Sequence, residues 1–152
     1  MIGQRVRRRE DPRFLTGQGC YVDDLELERA LWAKFVRSEY AHATITEIDT
    51  SELPDGAQVF TAADIDVEPT PPMHPAIDAH MARPPLAYDK ARFVGEIIAI
   101  VVTDTSARGV DAAERVWAEM EPLPALTDER QALENETLLF DEAGSNVAMA
   151  DG

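Results

Sequence analysis

An α+β fold, with helices packed on a mixed β-sheet, is predicted by three features of the sequence. The first is residues 97–102, an unbroken apolar run rich in β-branched side chains. It is too short to span a membrane and suits a strand buried on both faces. The second follows at once: Asp104-Thr105-Ser106 supplies N-cap side chains, and Ala107, Val110, Ala112 and Ala113 give a short helix its apolar stripe. The third is a change of period, with Val116, Ala118 and Met120 alternating with Trp117, Glu119 and Glu121 until Pro122 ends the run. Strand, helix and strand over 97–121 predict a right-handed βαβ crossover with parallel strands. The core of the domain is expected there.

At 152 residues the chain suits one domain, spanning 1–152 and large enough to bury a core. The single cysteine, Cys20, permits no internal disulfide and reads as a small, buried or half-buried side chain. With no basic-then-apolar leader, the expected compartment is the cytoplasm. A net charge of −15 argues against nucleic acid or an anionic membrane as partner, because both are bound by clustered cations. The charge is uneven. Arg5, Arg7, Arg8, Arg9 and Arg13 crowd the start, which reads as a solvated lead-in, a counterpart to the acidic remainder, or a docking surface for another acidic segment.

Glu10-Asp11-Pro12 marks a turn or helix start, and Gly17-Gln18-Gly19 a glycine turn. The latter lacks the third glycine and the preceding buried strand of a dinucleotide fingerprint. Residues 20–22 read as extended. Further strands are expected at 31–36, 44–49 and 57–60, with a capped turn at Thr61-Ala62-Ala63-Asp64. His42, in the loop or wide hairpin end between the first two, has no nucleophile or carboxylate in a catalytic pattern and reads as bonded to backbone. Residues 65–92 hold six of the ten prolines, which excludes a long helix or central strand and leaves a long loop of the kind that usually carries function. His74, Asp78 and His80 in that loop have ligand chemistry but are too few for a zinc site. A short helix is expected at 128–133, and 141–152 forms a small polar tail.

Several short stretches, in order, resemble one family. They are Gly3-Gln4-Arg5-Val6, Leu15-Thr16-Gly17, Tyr21-Val22-Asp23-Asp24, Val36-Arg37-Ser38 with Ala41-His42-Ala43, Phe60-Thr61-Ala62-Ala63-Asp64, Val94-Gly95-Glu96, Glu121-Pro122-Leu123-Pro124, and Asp141-Glu142-Ala143-Gly144. Together they are similar to the start of the large subunit of molybdenum hydroxylases, the carbon monoxide dehydrogenase, xanthine dehydrogenase and aldehyde oxidase family. The resemblance implies an α/β hammerhead domain. It also implies a molybdenum-pterin cofactor held by later domains, a catalytic glutamate outside this chain, and, as partners, the remaining domains of the large subunit and an iron-sulfur small subunit, with or without a flavin subunit. Within the chain it implies no catalytic, cofactor-binding or metal-binding residue. Gly95, Glu96, Arg37 and His42 become candidates for a pocket wall or interface, and Gly95 for a bulge or close backbone approach before the core strand. The role so implied is to pack against the cofactor domains and wall the substrate channel, inactive alone. The alternative is a freestanding hammerhead binding or scaffold module, which would present a closed polar surface rather than exposed apolar patches.

Overall fold

The computed structural model describes Gly3, residues 8–25 and residues 27–149. The chain forms two compact units, Met1–Ala30 and Leu31–Gly152. In the first, Pro12 pre-sets the opening turn of α1 (Asp11–Leu15). Gly17 closes that helix at φ +70°, while Gln18 N–H reaches the Arg13 carbonyl at 2.9 Å. The glycine turn thus stands where the sequence puts it. The extended run expected at 20–22 stops at Tyr21, because the Asp24 carboxylate accepts the Tyr21 N–H at 2.9 Å and curls Val22–Asp24 into a 3₁₀ turn. Cys20 is exposed, not buried or half-buried. A five-residue helix without a buried residue offers it no interior. Of the arginine cluster, Arg8, Arg9 and Arg13 are exposed; Arg5 and Arg7 lie outside the described residues.

Among its described residues the second unit holds six strands: β1 (Trp32–Arg37), β2 (Ala43–Asp49), β3 (Gln58–Thr61), β4 (Lys90–Ala91), β5 (Ile97–Thr103) and β6 (Trp117–Pro122). They form two three-stranded sheets, ordered β1-β5-β3 and β4-β2-β6, antiparallel throughout. The mixed α/β class, and all five strands and the one helix expected in residues 31–121, are present. The parallel pairing inside 97–121 is not. β5 and β6 flank α2 (Ser106–Ala113) in the predicted order, yet they belong to different sheets. Both edges of β5 are already occupied, Val101 facing Lys34 on one side and Val59 on the other, so β6 pairs with β2 instead. The single mixed sheet is therefore corrected to two antiparallel ones. The connection between β1 and β2 is accordingly a loop between sheets and not a hairpin.

Burial follows the expected alternation on β6, where Ala118 and Met120 turn inward and Trp117 and Glu119 outward. Helix α2 is capped by the Thr105 hydroxyl, which accepts from Arg108 N–H at 3.4 Å. Its buried face differs from the predicted stripe: Gly109 and Ala112 are buried, while Ala107 and Val110 are exposed. Gly109 sets that rotation. A Cβ there would lie 3.1 Å from Thr103 Oγ1 and 3.3 Å from Lys34 Cγ, so any other residue would have to push those side chains aside by a few tenths of an ångström for the helix to sit as closely on β5 and β1. Val101, Ala112 and Val116 form the centre of the core, with Val36, Ile48, Leu53 and Val59 packed around it. One apolar layer thus joins the faces of both sheets.

The proline-rich stretch 65–92 contains no long helix or central strand, but it is pinned. Thr70 and Arg83 exchange backbone hydrogen bonds of 2.8 and 3.1 Å, and Leu86 and Ala87 are buried with Ala87 N–H on the Ile97 carbonyl. Helix α3 (Glu129–Glu134) starts at Asp128, whose carboxylate caps Arg130 N–H at 2.7 Å. Beyond it, Asn146 gathers the chain: its amide donates to Ala132 O and Thr137 O and its oxygen accepts from Leu139 N–H. No helix among the described residues is long and apolar enough to cross a membrane.

Candidate functional site

Three of the four candidate residues meet at the turn that feeds β5. Gly95 takes φ +88°, a conformation that L side chains rarely adopt, and a Cβ there would meet nothing within 4 Å. Glycine is required by the turn, not by a close approach. That turn exchanges hydrogen bonds with the end of β1, Gly95 N–H on Ser38 O and Ser38 N–H on Glu96 O, both at 2.8 Å. The bulge expected beside Gly95 falls at Ile98, which β1 skips as Val36 pairs with Ala99 and Arg37 with Ile97. Arg37 seals the turn, donating to Gly95 O at 2.7 Å while its guanidinium lies 5.4 Å from the centroid of the Phe35 ring.

Glu96 is 5% exposed, and its carboxylate accepts the Arg92 N–H at 2.5 Å. Burial pushes its carboxyl above the usual carboxylate range, against the opposing pull of the Arg92 N–H and the charges of Arg92 and Arg83. The Arg92 side chain is spent elsewhere. It donates to Leu139 O and Lys90 O at 2.9 Å each, and lies 5.0 Å from the centre of the Phe140 ring. Lys90 binds Asp141 at 2.5 Å and holds that carboxyl below its ordinary range. Residues 89–96 therefore form a clamp on the 139–141 segment. The sequence gives no pairing for Lys90, Arg92 or Asp141, since their partners lie 47 and 51 residues away.

His42 stands apart from that turn. It is 3% exposed, and Nδ1 donates to the Pro124 carbonyl at 2.8 Å, the backbone anchoring foreseen for it but across 82 residues. The Nδ1–H tautomer leaves Nε2 as an acceptor, and among the described residues nothing donates to it. In the 65–92 loop, Asp78 bonds both His80 N–H and His80 Nδ1 at 2.8 Å, while His74 Nδ1 turns to Ala76 N–H. Among the described residues no three His, Cys, Asp or Glu side chains converge in a way that could hold a metal ion. The arrangement positions backbone and binds surfaces; it offers no nucleophile beside a base.

The concave surface lies elsewhere. An apolar socket of about 160 Å³ is formed by Ile65, Val67, Pro84, Pro85, Leu86 and Tyr88, which gives the proline-rich loop a definite shape. A larger groove of about 850 Å³ runs along residues 34–37 of β1 and 117–120 of β6, with Val110, Ala113 and Val116 among its lining residues.

Residues 16–124 match the family described as aldehyde oxidase and xanthine dehydrogenase, a/b hammerhead domain. The nicotine 6-hydroxylase large subunit of Paenarthrobacter nicotinovorans is 39% identical over 160 residues, covering 98% of this chain and 19% of that protein. The crystal structure of quinoline 2-oxidoreductase from Pseudomonas putida 86 superposes with a TM-score of 0.79 at 38% identity, over 93% of this chain and 19% of that one. A Cu,Mo-containing carbon monoxide dehydrogenase in its carbon monoxide-reduced state gives 0.78 at 35% identity, over 99% and 19%. The chain spans about a fifth of the length of these relatives.

Proposed function

We propose that this chain, which belongs to the aldehyde oxidase and xanthine dehydrogenase a/b hammerhead family, serves as the hammerhead portion of a molybdenum hydroxylase-type oxidoreductase large subunit. It packs against the cofactor-bearing portions of that enzyme, helps wall the channel to the reacting centre, and is inactive by itself. Gly95, Glu96 and Arg37 shape the turn that presents the wall, and His42 fixes the loop between the sheets. An iron-sulfur subunit, with or without a flavin subunit, completes the cytoplasmic complex.

The observation that carries this reading is the collinear match over 16–124 in a chain whose surface keeps large apolar side chains exposed. Trp117 is 71% exposed, and Trp32, Phe35 and Tyr88 are exposed as well. A self-sufficient scaffold module would present a closed polar surface; faces of this kind suit a neighbour. The residues described do not fit the molybdenum-pterin group. Glu96 is closed off by the Arg92 N–H, and no donor set converges on a metal. The oxidation and its electron transfer are therefore assigned to parts of the enzyme outside this chain.

Two measurements test the assignment. Metal analysis of the purified 152-residue chain, with aldehyde, purine and carbon monoxide oxidation assays, is expected to find neither molybdenum nor turnover. Stoichiometric molybdenum with turnover in this chain alone would overturn it. The reading frame past Gly152 is expected to continue into glycine-rich cofactor segments; an immediate stop codon with no separately encoded cofactor subunit nearby favours the scaffold alternative.

A further inference from the structure

The groove of about 850 Å³ has an unusual lining: four consecutive residues from β1 and four from β6. Consecutive residues line a cavity when it meets a strand at its edge, since one face shows only alternate side chains. Both edges are open. β1 pairs only with β5, and β6 only with β2, among the described residues. Backbone alternation identifies the groups on offer. Leu123 N–H bonds to His42 O, which turns Glu121 and Glu119 toward β2 and leaves N–H and C=O of Met120 and Ala118 on the outer edge. Ser38 N–H bonds to Glu96 O, which by the same count leaves the backbone of Phe35 and Ala33 facing away from β5. Pro122, with no N–H to lose, is the residue tolerated where β6 ends at an edge.

The charges choose the occupant. On the outward face of the β2–β6 ribbon, Glu47 sits directly opposite Glu119 and Thr44 opposite Glu121, with Asp49 one step further beside Trp117. None of these four carboxylates has a cationic partner within 4 Å among the described residues. Like charges placed opposite one another weaken a sheet, so the row needs a cationic neighbour to offset them. The inner lining of the groove includes apolar Val110, Ala113 and Met120, and its two cations belong to β1, with Arg37 engaged on Gly95 O and Lys34 lying against Gly109.

The geometry points to a strand-acceptor slot: an extended segment of a partner polypeptide, alternating basic and apolar side chains, lies between β1 and β6 and pairs with their free edges. Its basic side chains meet Glu119 and Glu121, and its apolar ones enter the groove over α2. Added strands of this kind draw affinity from main-chain hydrogen bonds and specificity from alternate side chains. The slot shares Phe35 and Trp117 with the apolar face assigned above to a neighbour; loss of peptide binding sinks the slot alone, whereas molybdenum with turnover in this chain sinks the enzyme role alone.

The test is titration of the isotope-labelled chain with a peptide of about ten residues alternating Lys and Val, read by amide chemical shifts and hydrogen exchange. Slower exchange at Phe35, Ala118 and Met120 is expected, with binding weakened roughly tenfold for the Glu/Val counterpart and abolished by N-methylating one edge of the peptide. Glu119→Lys combined with Glu121→Lys, both exposed, leaves the fold intact and should reverse the preference in favour of the Glu/Val peptide. Unchanged exchange at those amides, protection confined to the β3 edge, or binding indifferent to N-methylation overturns the slot. Protection of the same amides without peptide, rising with chain concentration, overturns the partner reading in favour of a second copy.

Discussion

The β1-β5-β3 sheet closes around Ile98, Ala99 and Val101, each at most 1% exposed, whereas the β4-β2-β6 sheet sets Glu47 against Glu119 in full view of solvent. In the first sheet a central strand has both edges paired and both faces covered, so burial does the stabilising. In the second, β4 covers only Ala43 and Thr44 of β2, a bulge at Thr46 interrupts the ladder with β6, and the outward face carries uncompensated carboxylates. The difference teaches that one sheet holds the unit together and the other is shaped by what it meets.

Three variants press on that contrast. The largest effect is expected for Ile98→Ala in β5: loss of about 2–5 kcal/mol, seen as a lower urea midpoint. If a substitution as drastic in β6 cost as much, the contrast would fail. A smaller effect belongs to Glu96→Gln beside the same strand. The folded-state pKa of Glu96 is raised, so the folded chain holds a proton that the unfolded chain has given up. Its contribution is therefore fully present below the ordinary glutamate value and is lost as pH rises through the folded value. Glutamine can still accept the Arg92 N–H, so the variant should be more stable than the parent at neutral pH and lack that part of the decline; equal slopes in urea melts across pH would refute it. Asp141 runs the other way, its lowered pKa adding stability above the ordinary aspartate value that is lost as pH falls. The smallest effect is a gain: Glu119→Lys relieves the repulsion with Glu47 and should add about 0.5 kcal/mol in thermal melts at low salt, fading as salt is added.

Strand and helix positions were legible because each carries its own signature: the apolar run of β5, the period-two pattern of β6, the caps of α2 and α3. Pairings were not. A two-residue strand such as β4 has no period to read, and nothing in residues 97–121 signals that β5 has been claimed by β1 and β3 from outside the window. At Gly95 the sequence suggested a bulge or close backbone approach; the turn it makes at φ +88° was not read from it. The clamp was missed for a different reason. Lys90 and Arg92 act on partners 51 and 47 residues away, and each taken singly reads as an ordinary surface residue, while Asp141 was noticed only as part of a stretch resembling the family. The rotation of α2 turned on Gly109, which an apolar-stripe count ignores because it has no side chain to count.

Along the chain, odd-numbered strands join one sheet and even-numbered strands the other. During translation, at roughly 5–20 residues per second, β1 must wait several seconds for β5 before it has any partner. β2 waits longer still for β6, with only the two residues of β4 in between. Neither half of the sequence can mature first, so in a ribosome-bound intermediate the edges of β1 and β2 that β5 and β6 will cover stay unpaired until those strands have left the exit tunnel.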